Sequence, residues 1–460
     1  MIDQSIFREY DIRGIVPDQI NEVSIKAIAS AIANKCHDEK VHELALGRDG
    51  RLSGNKILKS LSQELQFLGI NIVNIGVVTS PLLYFAAKKL NSKSGVMITG
   101  SHNPKNYNGF KIVINDSPVS GIEMLGLISS EVNHSFAPGS ETIKENLEDE
   151  YIEEVISQAS NQTQKIKVVV DCGNGSAGKI APKLMRALGY EVVELYCEID
   201  GNFPNHHPDP GKVENLQDLI KRVKDEGADI GIAFDGDGDR LGVISNLGEI
   251  IYPDQLMMIF SRAVLKTSKG REIIFDVKCS NLLARIISEA GGMPVMSPTG
   301  HFHIKNALKK TNAPLAGEMS GHIFFNDNWF GFDDALYASL RCLQEIKIRK
   351  GGLVNYLKNI PKTYTSPEIR IDCDEKIKFE AISKIIKLCS KEYEASKILT
   401  LDGIRITTDA GWWLIRASNT QAALIARAEG SSKKDLNNAL LNVHRYLKCV
   451  GINWIVDKYL

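Results

Sequence analysis

Residues 95–111 read GVMITGSHNPKNYNGFK, an apolar run followed at once by a polar loop rich in glycine and asparagine. The run at 95–98 is short and apolar, which predicts a buried strand, and the Asn-Pro and Asn-Gly pairs that follow predict turns. Ser101 is therefore expected just beyond the carboxyl end of a strand, where open α/β sheets place their chemistry. The alternative is a surface turn whose serine only caps a helix, because serine also favours caps and turns.

The alternation of strands with stretches of helical length recurs along the chain and predicts parallel sheets with crossover helices. Strands are expected at 44–47, 70–75, 95–99, 110–114, 167–171, 191–195, 229–234, 272–277, 293–296 and 313–318, with a helix at 333–347. The order then changes to a strand from 368, a helix at 375–390, strands at 403–407, 412–417 and 422–428, and a helix at 433–447. We therefore predict an α/β fold, with three tandem α/β domains of mixed, mostly parallel sheets and a C-terminal α+β domain. The expected divisions are 1–148, 149–251, 252–363 and 364–460.

The composition argues against several classes of partner. The 460 residues carry a formal net charge of −1, so no basic field exists to attract nucleic acid or an anionic membrane surface. No apolar run approaches the ~20 residues that a membrane span needs, and the charged N-terminus lacks the pattern of a secretory signal. The eight cysteines form no C-x-x-C pair and are typical of a reducing compartment. We therefore expect a cytoplasmic protein.

A second polar loop, DGDGDR at 235–240, has three carboxylates on alternate residues with glycine between them. Asp235, Asp237 and Asp239 can be aimed at one point, and a hard divalent cation prefers that arrangement of oxygens. An EF-hand is rejected because Arg240 stands at the sixth position, where glycine is needed, and no glutamate follows at the twelfth. The loop instead predicts Mg²⁺ held by few protein ligands, with the arginine binding a phosphate. The alternative is an acidic hairpin tip in solvent.

Residues 173–178, GNGSAG, formally match the dinucleotide-binding pattern, with Glu194 about twenty residues further on. Two features weaken that interpretation. Asp171 ends the preceding strand, so its charge would face the pyrophosphate, and no nicotinamide-domain pattern follows. A tight turn between a strand and a helix explains the glycines equally well.

Histidines next to reactive groups suggest two further alternatives. The pair Ser101 and His102 suggests a serine hydrolase, but the G-x-S-x-G elbow is absent, and adjacent residues at a strand end usually point apart. His206 and His207 could suggest a metal site, but they lie in a proline-rich loop and lack the helical spacing of chelating histidines. Loop packing is therefore the preferred interpretation.

Six motifs occur in order along nearly the whole chain: FREYDIRG at 7–14, GRDGR at 47–51, TGSHNP at 99–104, DGDGDR at 235–240, GEMSGH at 317–322 and RASNT at 416–420. Together they resemble the α-D-phosphohexomutase superfamily, and most closely its bacterial phosphomannomutase/phosphoglucomutase members. The resemblance implies four domains around a central cleft. It also implies a mutase that interconverts hexose 1-phosphate and hexose 6-phosphate through a phosphoserine enzyme. A hexose 1,6-bisphosphate would be both its intermediate and its activator.

The resemblance assigns roles to residues of these motifs. It implies a catalytic set of Ser101, Lys111, Arg13, His102 and Arg240. It implies one Mg²⁺ held by Ser101, Asp235, Asp237 and Asp239. It implies a substrate-binding set of Tyr10, Lys278, His301, Glu318, Ser320, His322, Arg416, Ser418, Asn419 and Thr420. Lys111 would handle the proton of the sugar hydroxyl, and burial near cations is expected to lower its pKa for that task.

The GEMSGH motif bears on the choice of sugar. Glu318 and Ser320 resemble residues that bind the 3- and 4-hydroxyls, which have the same configuration in glucose and mannose. Both hexose phosphates are therefore expected as substrates of a monomeric enzyme. Met319 stands where relatives acting on glucosamine phosphate usually have glutamine, and a phosphoglucosamine mutase is kept as an alternative.

The RASNT motif is expected to grip the phosphate that is not transferred, through a guanidinium fork and hydroxyl and amide donors. The family commonly has a proline two residues after its Asn-Thr, whereas Gln421 and Ala422 follow here. We expect a loop that is less pre-shaped, with a modest effect on phosphate affinity. Two functions of other classes stay open at this point, an NAD-dependent oxidoreductase and a non-catalytic sugar-phosphate-binding protein.

Overall fold

Four β-sheets follow one another along the chain in the computed structural model, which describes residues 2–128, 136–159, 165–348, 352–418 and 422–459. The first three sheets are mixed, with parallel strands extended by antiparallel ones, and the fourth is antiparallel. The predicted fold class is confirmed. No described helix is both long enough and apolar enough to cross a bilayer.

The first sheet contains the strand that precedes Ser101. Its strands are β1 Ile12–Ile15, β2 Glu43–Arg48, β3 Asn71–Val77, β4 Gly95–Ile98, β5 Tyr107–Ile114, β6 Ser117–Val119 and β7 Glu141–Ile143. Its helices are α1 Glu22–Asp38, α2 Gly54–Phe67, α3 Ser80–Lys89 and α4 Gly121–Leu127. The strand order is β1-β5-β4-β2-β3-β7, with β6 paired to β5. Because β5 runs antiparallel to β4, the loop between them turns sharply and holds Ser101 at the edge of the sheet.

The second sheet carries the aspartate loop. Its elements are α5 Leu147–Ser157, β8 Lys167–Asp171, α6 Ala181–Ala187, β9 Glu191–Leu195, α7 Gln217–Asp225, β10 Ile230–Phe234, β11 Leu241–Ser245 and β12 Ile250–Ile251. The order is β12-β11-β10-β8-β9, and β8, β9 and β10 are parallel. β10 and β11 form an antiparallel hairpin, so the loop between them lies at the carboxyl end of β10.

The third sheet is bounded by long helices. Its elements are α8 Pro253–Val264, β13 Glu272–Asp276, α9 Asn281–Glu289, β14 Met293–Ser297, α10 His301–Thr311, β15 Leu315–Gly317, β16 Ile323–Phe325, α11 Ala335–Ile348 and α12 Gly352–Leu357. The order is β14-β13-β15-β16, with β13, β14 and β15 parallel. The GEMSGH motif forms the turn between β15 and β16.

The fourth sheet is an antiparallel meander with two helices, as predicted. Its elements are β17 Tyr364–Thr365, β18 Ile369–Asp372, α13 Lys378–Glu392, β19 Ile398–Leu399, β20 Ile404–Thr408, β21 Gly411–Ala417, β22 Ala423–Gly430 and α14 Lys433–Cys449. The order is β17-β22-β21-β20-β19, with β18 also paired to β22.

The apolar core is divided unevenly among the sheets. One buried cluster extends from Ala45 on β2 to Tyr356 on α12 and so connects the first three sheets, while the fourth sheet has a separate core. A buried arginine is one of the contacts that attach the C-terminal unit. Arg405 donates to the carbonyl oxygens of Val277 and Cys279, and its guanidinium stacks 3.7 Å from the centre of the Trp412 ring. The first three sheets therefore form a shared frame to which the fourth is docked.

Candidate active site

Ser101 lies just beyond the carboxyl end of β4, as predicted, and is only 1% exposed. Its backbone φ is +49°, a left-handed conformation that is strained for a residue with a Cβ. The Ser101 N–H donates to Oγ1 of Thr99 at 2.7 Å, and its Oγ donates to Oδ2 of Asp235 at 3.0 Å. The interpretation as a surface turn is wrong, because this hydroxyl is buried against a carboxylate from another sheet.

The serine loop is held by Arg51, to which the sequence motifs gave no role. The Arg51 guanidinium donates four hydrogen bonds of 2.6–3.0 Å to backbone carbonyls of the loop, those of Ser101, Asn103, Pro104 and Tyr107. It also pairs at 3.2 Å with Oδ2 of Asp49, which accepts a hydrogen bond from Thr99 Oγ1 at 2.7 Å. A buried, fully used guanidinium therefore fixes the path of the chain on both sides of the serine.

The three carboxylates of the aspartate loop are completely buried, and each offers an oxygen within 4.8 Å of the other two. Oδ1 of Asp235 accepts from the N–H groups of Asp239 and Arg240 at 3.0 and 3.1 Å. Oδ1 of Asp237 and Oδ1 of Asp239 find no hydrogen-bond partner among the residues that the structure describes. The solvent-hairpin alternative is therefore wrong. Clustered carboxylates with unused oxygens fit a hard divalent cation such as Mg²⁺.

Lys111, on β5, points its ammonium into the same cluster. Nζ lies 2.5 Å from Oδ2 of Asp237 and also contacts Oδ2 of Asp239. Burial alone would lower the pKa of Lys111, but these two carboxylates raise it well above its usual value. The predicted lowering of this pKa is wrong, because the nearest charges to the lysine are carboxylates rather than cations. Lys111 is therefore an ammonium in this arrangement.

Two neighbouring segments meet the aspartate loop at close range. At the first residue of α3, the Ser80 N–H donates to the Asp237 carbonyl at 2.8 Å, and Ser80 Oγ donates to Oδ2 of Asp237 at 2.6 Å. The amino end of a helix favours such a negative charge. On the other side, a Cβ added to Gly236 would lie 2.4 Å from the Ser101 carbonyl oxygen. The glycine thus lets the serine loop and the aspartate loop touch.

Arg240 joins this cluster to the third sheet. Its Nε donates to Nε2 of His322 at 3.0 Å, and since a guanidinium can only donate, that imidazole nitrogen carries a lone pair. Nδ1 of His322 therefore bears the proton, and it lies 3.1 Å from Oδ2 of Asp333. The other oxygen of that carboxylate, Oδ1, lies 2.6 Å from Nζ of Lys305. Asp239, His322 and Asp333 are close enough to suggest a second metal centre. The proton on Nδ1 faces the Asp333 carboxylate, which Lys305 also contacts, so polar contacts within the protein account for this group.

Glu318 lies in the turn after β15 and is buried, which raises its pKa. Its Oε1 accepts from the N–H of Gly300 at 2.6 Å. Gly300 has φ +127°, and a Cβ there would lie 2.5 Å from the ring of Tyr10, so only glycine fits between the first and third sheets. The Tyr10 hydroxyl donates to the Thr299 carbonyl at 2.7 Å, and its ring packs edge-on to His301. Ser320 is half-buried in the same turn as Glu318.

The fourth sheet supplies Arg416 and Ser418, both buried. Nε of Arg416 donates to Oδ2 of Asp402 at 2.8 Å, and the same oxygen accepts from the Thr299 N–H at 3.0 Å. Arg416 is thereby connected to the segment that contacts Tyr10. Across the same junction, Nζ of Lys278 pairs with Oε2 of Glu368 at 2.9 Å. Asn419 and Thr420, the other two residues predicted in this loop, lie outside the described residues.

The remaining two predicted residues flank the serine. Arg13 donates to Oδ2 of Asp11 and to Oδ1 of Asn103, which turns its guanidinium toward the serine loop. His102 places Nδ1 3.1 Å from Ser101 Oγ. Burial lowers the pKa of His102 well below its usual value, so the ring is neutral. The carboxylate beside Ser101 belongs to the aspartate loop, which does not favour the hydrolase alternative.

The GNGSAG turn packs against the aspartate loop. A Cβ added at Gly175 would lie 2.8 Å from the Gly236 carbonyl oxygen, and one at Gly178 would lie 1.9 Å from that of Cys197. The glycines are therefore explained by close packing rather than by a dinucleotide. His206 pairs with Asp171 at 3.0 Å, which supports the loop-packing interpretation of that histidine.

Each part of the chain matches a domain of one enzyme family. The patterns described as phosphoglucomutase/phosphomannomutase alpha/beta/alpha domains I, II and III match residues 4–135, 149–248 and 252–364, and that of the C-terminal domain matches residues 368–442. The chain belongs to the phosphoglucomutase/phosphomannomutase family. It is therefore an isomerase of the mutase type.

Relatives of this family are similar over almost their whole length. A phosphomannomutase/phosphoglucomutase of Pseudomonas syringae pv. tomato is 45% identical over 452 residues, which cover 98% of this chain and 97% of the relative. A phosphoglucomutase of Neisseria gonorrhoeae is 45% identical over 438 residues, 94% of each chain. A crystal structure of a phosphoglucomutase/phosphomannomutase family protein from Burkholderia thailandensis matches with a TM-score of 0.91 at 40% identity and covers 98% of this chain and 99% of that one. The resemblance drawn from the motifs is confirmed.

For this member of the family, the structure places the described residues of the predicted set in two groups. One group surrounds the serine and consists of Arg13, Ser101, His102, Lys111, Asp235, Asp237, Asp239, Arg240 and His322. A second group lies at the junction of the third and fourth sheets with the first and consists of Tyr10, Lys278, His301, Glu318, Ser320, Arg416 and Ser418. The sequence interpretation missed Arg51, Asp49, Asp333 and Lys305. In the sequence, Asp49 and Arg51 were marked only by the GRDGR motif, and Lys305 and Asp333 by no motif.

Proposed function

We propose that this protein interconverts the 1-phosphates and 6-phosphates of mannose and glucose through a phosphorylated Ser101 and a hexose 1,6-bisphosphate. The observation that carries the proposal is the contact of Ser101 Oγ with Asp235, inside a buried cluster whose other carboxylates have unused oxygens. The names of the relatives, phosphomannomutase/phosphoglucomutase and phosphoglucomutase, support the choice of the two sugars.

The residues fit one Mg²⁺ held by Asp235, Asp237, Asp239 and an oxygen of phosphorylated Ser101. The support is the all-oxygen donor set and the two orphaned buried oxygens of this cluster. When bound, the ion would neutralise charge on the phosphoryl group that is transferred. Chelation should therefore stop turnover, and added Mg²⁺ should restore it.

In the proposed transfer, the bond between Ser101 Oγ and phosphorus breaks while a sugar hydroxyl forms a new bond to the same phosphorus. Arg240, held by His322, would donate to the oxygens of the moving group, with Arg13 adding charge from the other side. Lys111, an ammonium in the arrangement described above, can donate to the departing serine oxygen. We propose that Nε2 of His322 accepts the proton of the sugar hydroxyl once Arg240 exchanges its hydrogen bond to that nitrogen for one to the phosphoryl group.

The second group of residues would hold the sugar. Glu318 and Ser320 are proposed to bind the 3- and 4-hydroxyls, with Tyr10, Lys278 and His301 lining the cleft. Arg416, Ser418, Asn419 and Thr420 are proposed to grip the phosphate that stays on the sugar. One reactive and one anchoring phosphate site allow the sugar to bind in either orientation, which a shift of phosphate between O1 and O6 requires.

A coupled assay tests the proposal directly. Mannose 1-phosphate and glucose 1-phosphate, each primed with glucose 1,6-bisphosphate, should turn over with the wild type, and Ser101→Ala should lose activity on the order of a thousandfold or more. Ser30→Ala, on the outer helix α1, is the matched control and should keep full activity. Intact-mass measurement should find one added phosphoryl group in the primed wild type and none in Ser101→Ala. Full activity of Ser101→Ala would sink the mechanism.

Two further arms separate the alternatives. Glucosamine 1-phosphate as the preferred substrate would favour the phosphoglucosamine mutase. Thermal protection by NAD, without protection by hexose phosphate and Mg²⁺, would favour the oxidoreductase. A wild type that binds hexose phosphate without turnover in the primed assay would favour the non-catalytic binding protein.

We also propose a cytoplasmic monomer whose domains divide at 148/149, 251/252 and 363/364. The cytoplasmic location is supported by the cysteines, because all eight are free thiols. The monomer is supported by the site, because one chain supplies both groups of site residues. Size-exclusion chromatography with light scattering would test the monomer, and limited proteolysis with mass mapping would test the boundaries.

A further inference from the structure

Lys378, the first residue of α13, is buried in an unusual way. It is 1% exposed, whereas its apolar neighbours Ile377 and Phe379 are 47% and 56% exposed. This reverses the ordinary preference, in which lysine faces water and large apolar side chains are covered. Burying an ammonium is unfavourable unless charge and hydrogen bonds compensate it. The arrangement therefore calls for an explanation in terms of what the ammonium contacts.

The ammonium contacts the carbonyl of Ser418. Nζ of Lys378 donates to that oxygen at 2.6 Å, and Oε1 of Glu375 lies 2.5 Å from the same nitrogen. The Ser418 N–H in turn donates to the Ala423 carbonyl at 2.9 Å, at the base of the β21–β22 hairpin. Both backbone polar groups of Ser418 are thus fixed, one by the hairpin and one by the lysine.

The position of this contact gives it a consequence for binding. Ser418 follows the last residue of β21, and Arg416 lies two residues earlier on the same face of that strand. A buried ammonium that holds the Ser418 carbonyl fixes the position of that residue beside Arg416 before a ligand binds.

We propose that Lys378 is a positioning residue for the phosphate that stays on the sugar. It fixes the position of Ser418 and thereby raises the affinity for hexose phosphate, with little influence on the transfer step at Ser101. This inference rests on the proposed function, because it assumes that Arg416 and Ser418 bind that phosphate.

Steady-state kinetics with glucose 1-phosphate test the proposal. Lys378→Met keeps the length of the side chain without the charge and should raise KM about tenfold, as expected for the loss of one charge-assisted hydrogen bond, while kcat changes less than about twofold. Lys378→Arg keeps a donor and should recover part of the affinity. Lys384→Met, an exposed lysine on the same helix, is the control and should match the wild type in both constants. If Lys378→Met does not fold, Lys378→Gln takes its place with the same expectation.

Direct binding separates this proposal from the function on which it rests. Calorimetric titration with glucose 6-phosphate is carried out on Ser101→Ala and on Ser101→Ala combined with Lys378→Met, so that no turnover occurs. The double variant should bind about tenfold more weakly. Equal affinity of the two proteins overturns the role of Lys378. A wild type without mutase activity would instead overturn the proposed function, and the binding comparison would still decide the role of the lysine. In the kinetic experiment, a fall in kcat of Lys378→Met at unchanged KM would also contradict the proposed role of Lys378.

Discussion

Ser101 and Arg51 are the most constrained residues of the site. The left-handed backbone of Ser101 costs about 1–3 kcal/mol, which the surrounding contacts must offset. Arg51 provides them through its four hydrogen bonds to the loop and its pairing with Asp49. These contacts to the backbone therefore hold Ser101 with its hydroxyl against Asp235.

We predict that Arg51→Met is strongly destabilising as well as inactivating. Removal of the guanidinium leaves Asp49 as a buried charge without its cation, which typically destabilises by about 3–5 kcal/mol. Urea unfolding followed by circular dichroism measures the loss, and the primed assay should show kcat at least about tenfold lower. Arg48→Met, which removes a single hydrogen bond to the Asp49 carbonyl, is the control and should cost less than about 1.5 kcal/mol. Equal losses for the two variants would contradict the special role of Arg51.

We predict that Asp334 makes stability depend on pH. Burial raises its pKa to about 6, although Tyr151, Trp329 and the Tyr337 N–H donate to it. An unfolded aspartate titrates near pH 3.9, so between about pH 4 and 6 the folded state holds more protons and stability falls as pH rises. The full effect is about 3 kcal/mol, two pKa units at about 1.4 kcal/mol each.

The test compares unfolding midpoints from pH 4 to pH 7. Asp334→Asn cannot titrate, so its stability should decrease less with rising pH than that of the wild type, and the two curves should run parallel above about pH 6.5. The exposed Asp372→Asn is the control and should follow the wild type throughout. Parallel curves for Asp334→Asn over the whole range would refute the raised pKa.

The chemistry-bearing residues could be predicted from sequence, and the residues that hold them could not. Ser101 and the aspartates lie in short motifs, and the residue types and spacing within each motif are enough to predict their chemistry. Arg51 acts on carbonyls some fifty positions away in the chain, and Lys378 on one forty positions away, so no local pattern reveals the contact. The error over the pKa of Lys111 has the same origin, because its sign depends on carboxylates from another sheet.

At the scale of elements, the site is made where two hairpin loops and the start of α3 touch. β4–β5 supplies the serine, β10–β11 supplies the carboxylates, and Gly236 lets their backbones approach. The strands were predictable because apolar runs bounded by polar loops mark them. Their order was not, since an apolar run shows that a strand is buried without showing which strand lies beside it.

We predict that Gly236→Ala separates the two loops. The added methyl would stand 2.4 Å from the Ser101 carbonyl oxygen, and a displacement of about 1 Å at a reacting group can cost on the order of a hundredfold in rate. The primed assay should therefore show kcat reduced at least tenfold, with a lower melting temperature. Gly126→Ala in α4, where a Cβ has no neighbour within 4 Å, is the control. It should leave activity unchanged and stabilise slightly, because alanine favours helix. Wild-type activity of Gly236→Ala would show that the loops need not touch.

At the scale of the whole molecule, the shared core of the first three sheets contrasts with the separate core of the fourth. Arg405 connects the two parts by hydrogen bonds to the carbonyls of Val277 and Cys279 and to Oδ1 of Asn281. Val277 also packs with Trp412 and Leu414 in a small apolar cluster. So small a junction is easier to open than a continuous apolar core, and the proposed reorientation of the sugar needs an enclosure that can open.

We predict that Arg405→Met uncouples the C-terminal unit. Calorimetry should show its unfolding as a separate transition at lower temperature, while the transition of the three-sheet frame stays near its wild-type position. KM for glucose 1-phosphate should rise, because Arg416 and Asp402 belong to the loosened unit. Lys387→Met, exposed on α13, is the control and should give the wild-type trace. A single transition shifted as a whole would mean that the four sheets unfold together.

Because the proposed site is distributed over all four sheets, the appearance of enzyme activity during refolding reports when the sheets have assembled. The serine, the carboxylates, the glutamate and the arginine proposed to bind the phosphate each come from a different sheet, so turnover by the proposed mechanism needs all four sheets. During refolding, helix content returns as each sheet forms, but product can appear only after the last unit has docked. The interval between the two signals times that docking step without any label on the protein.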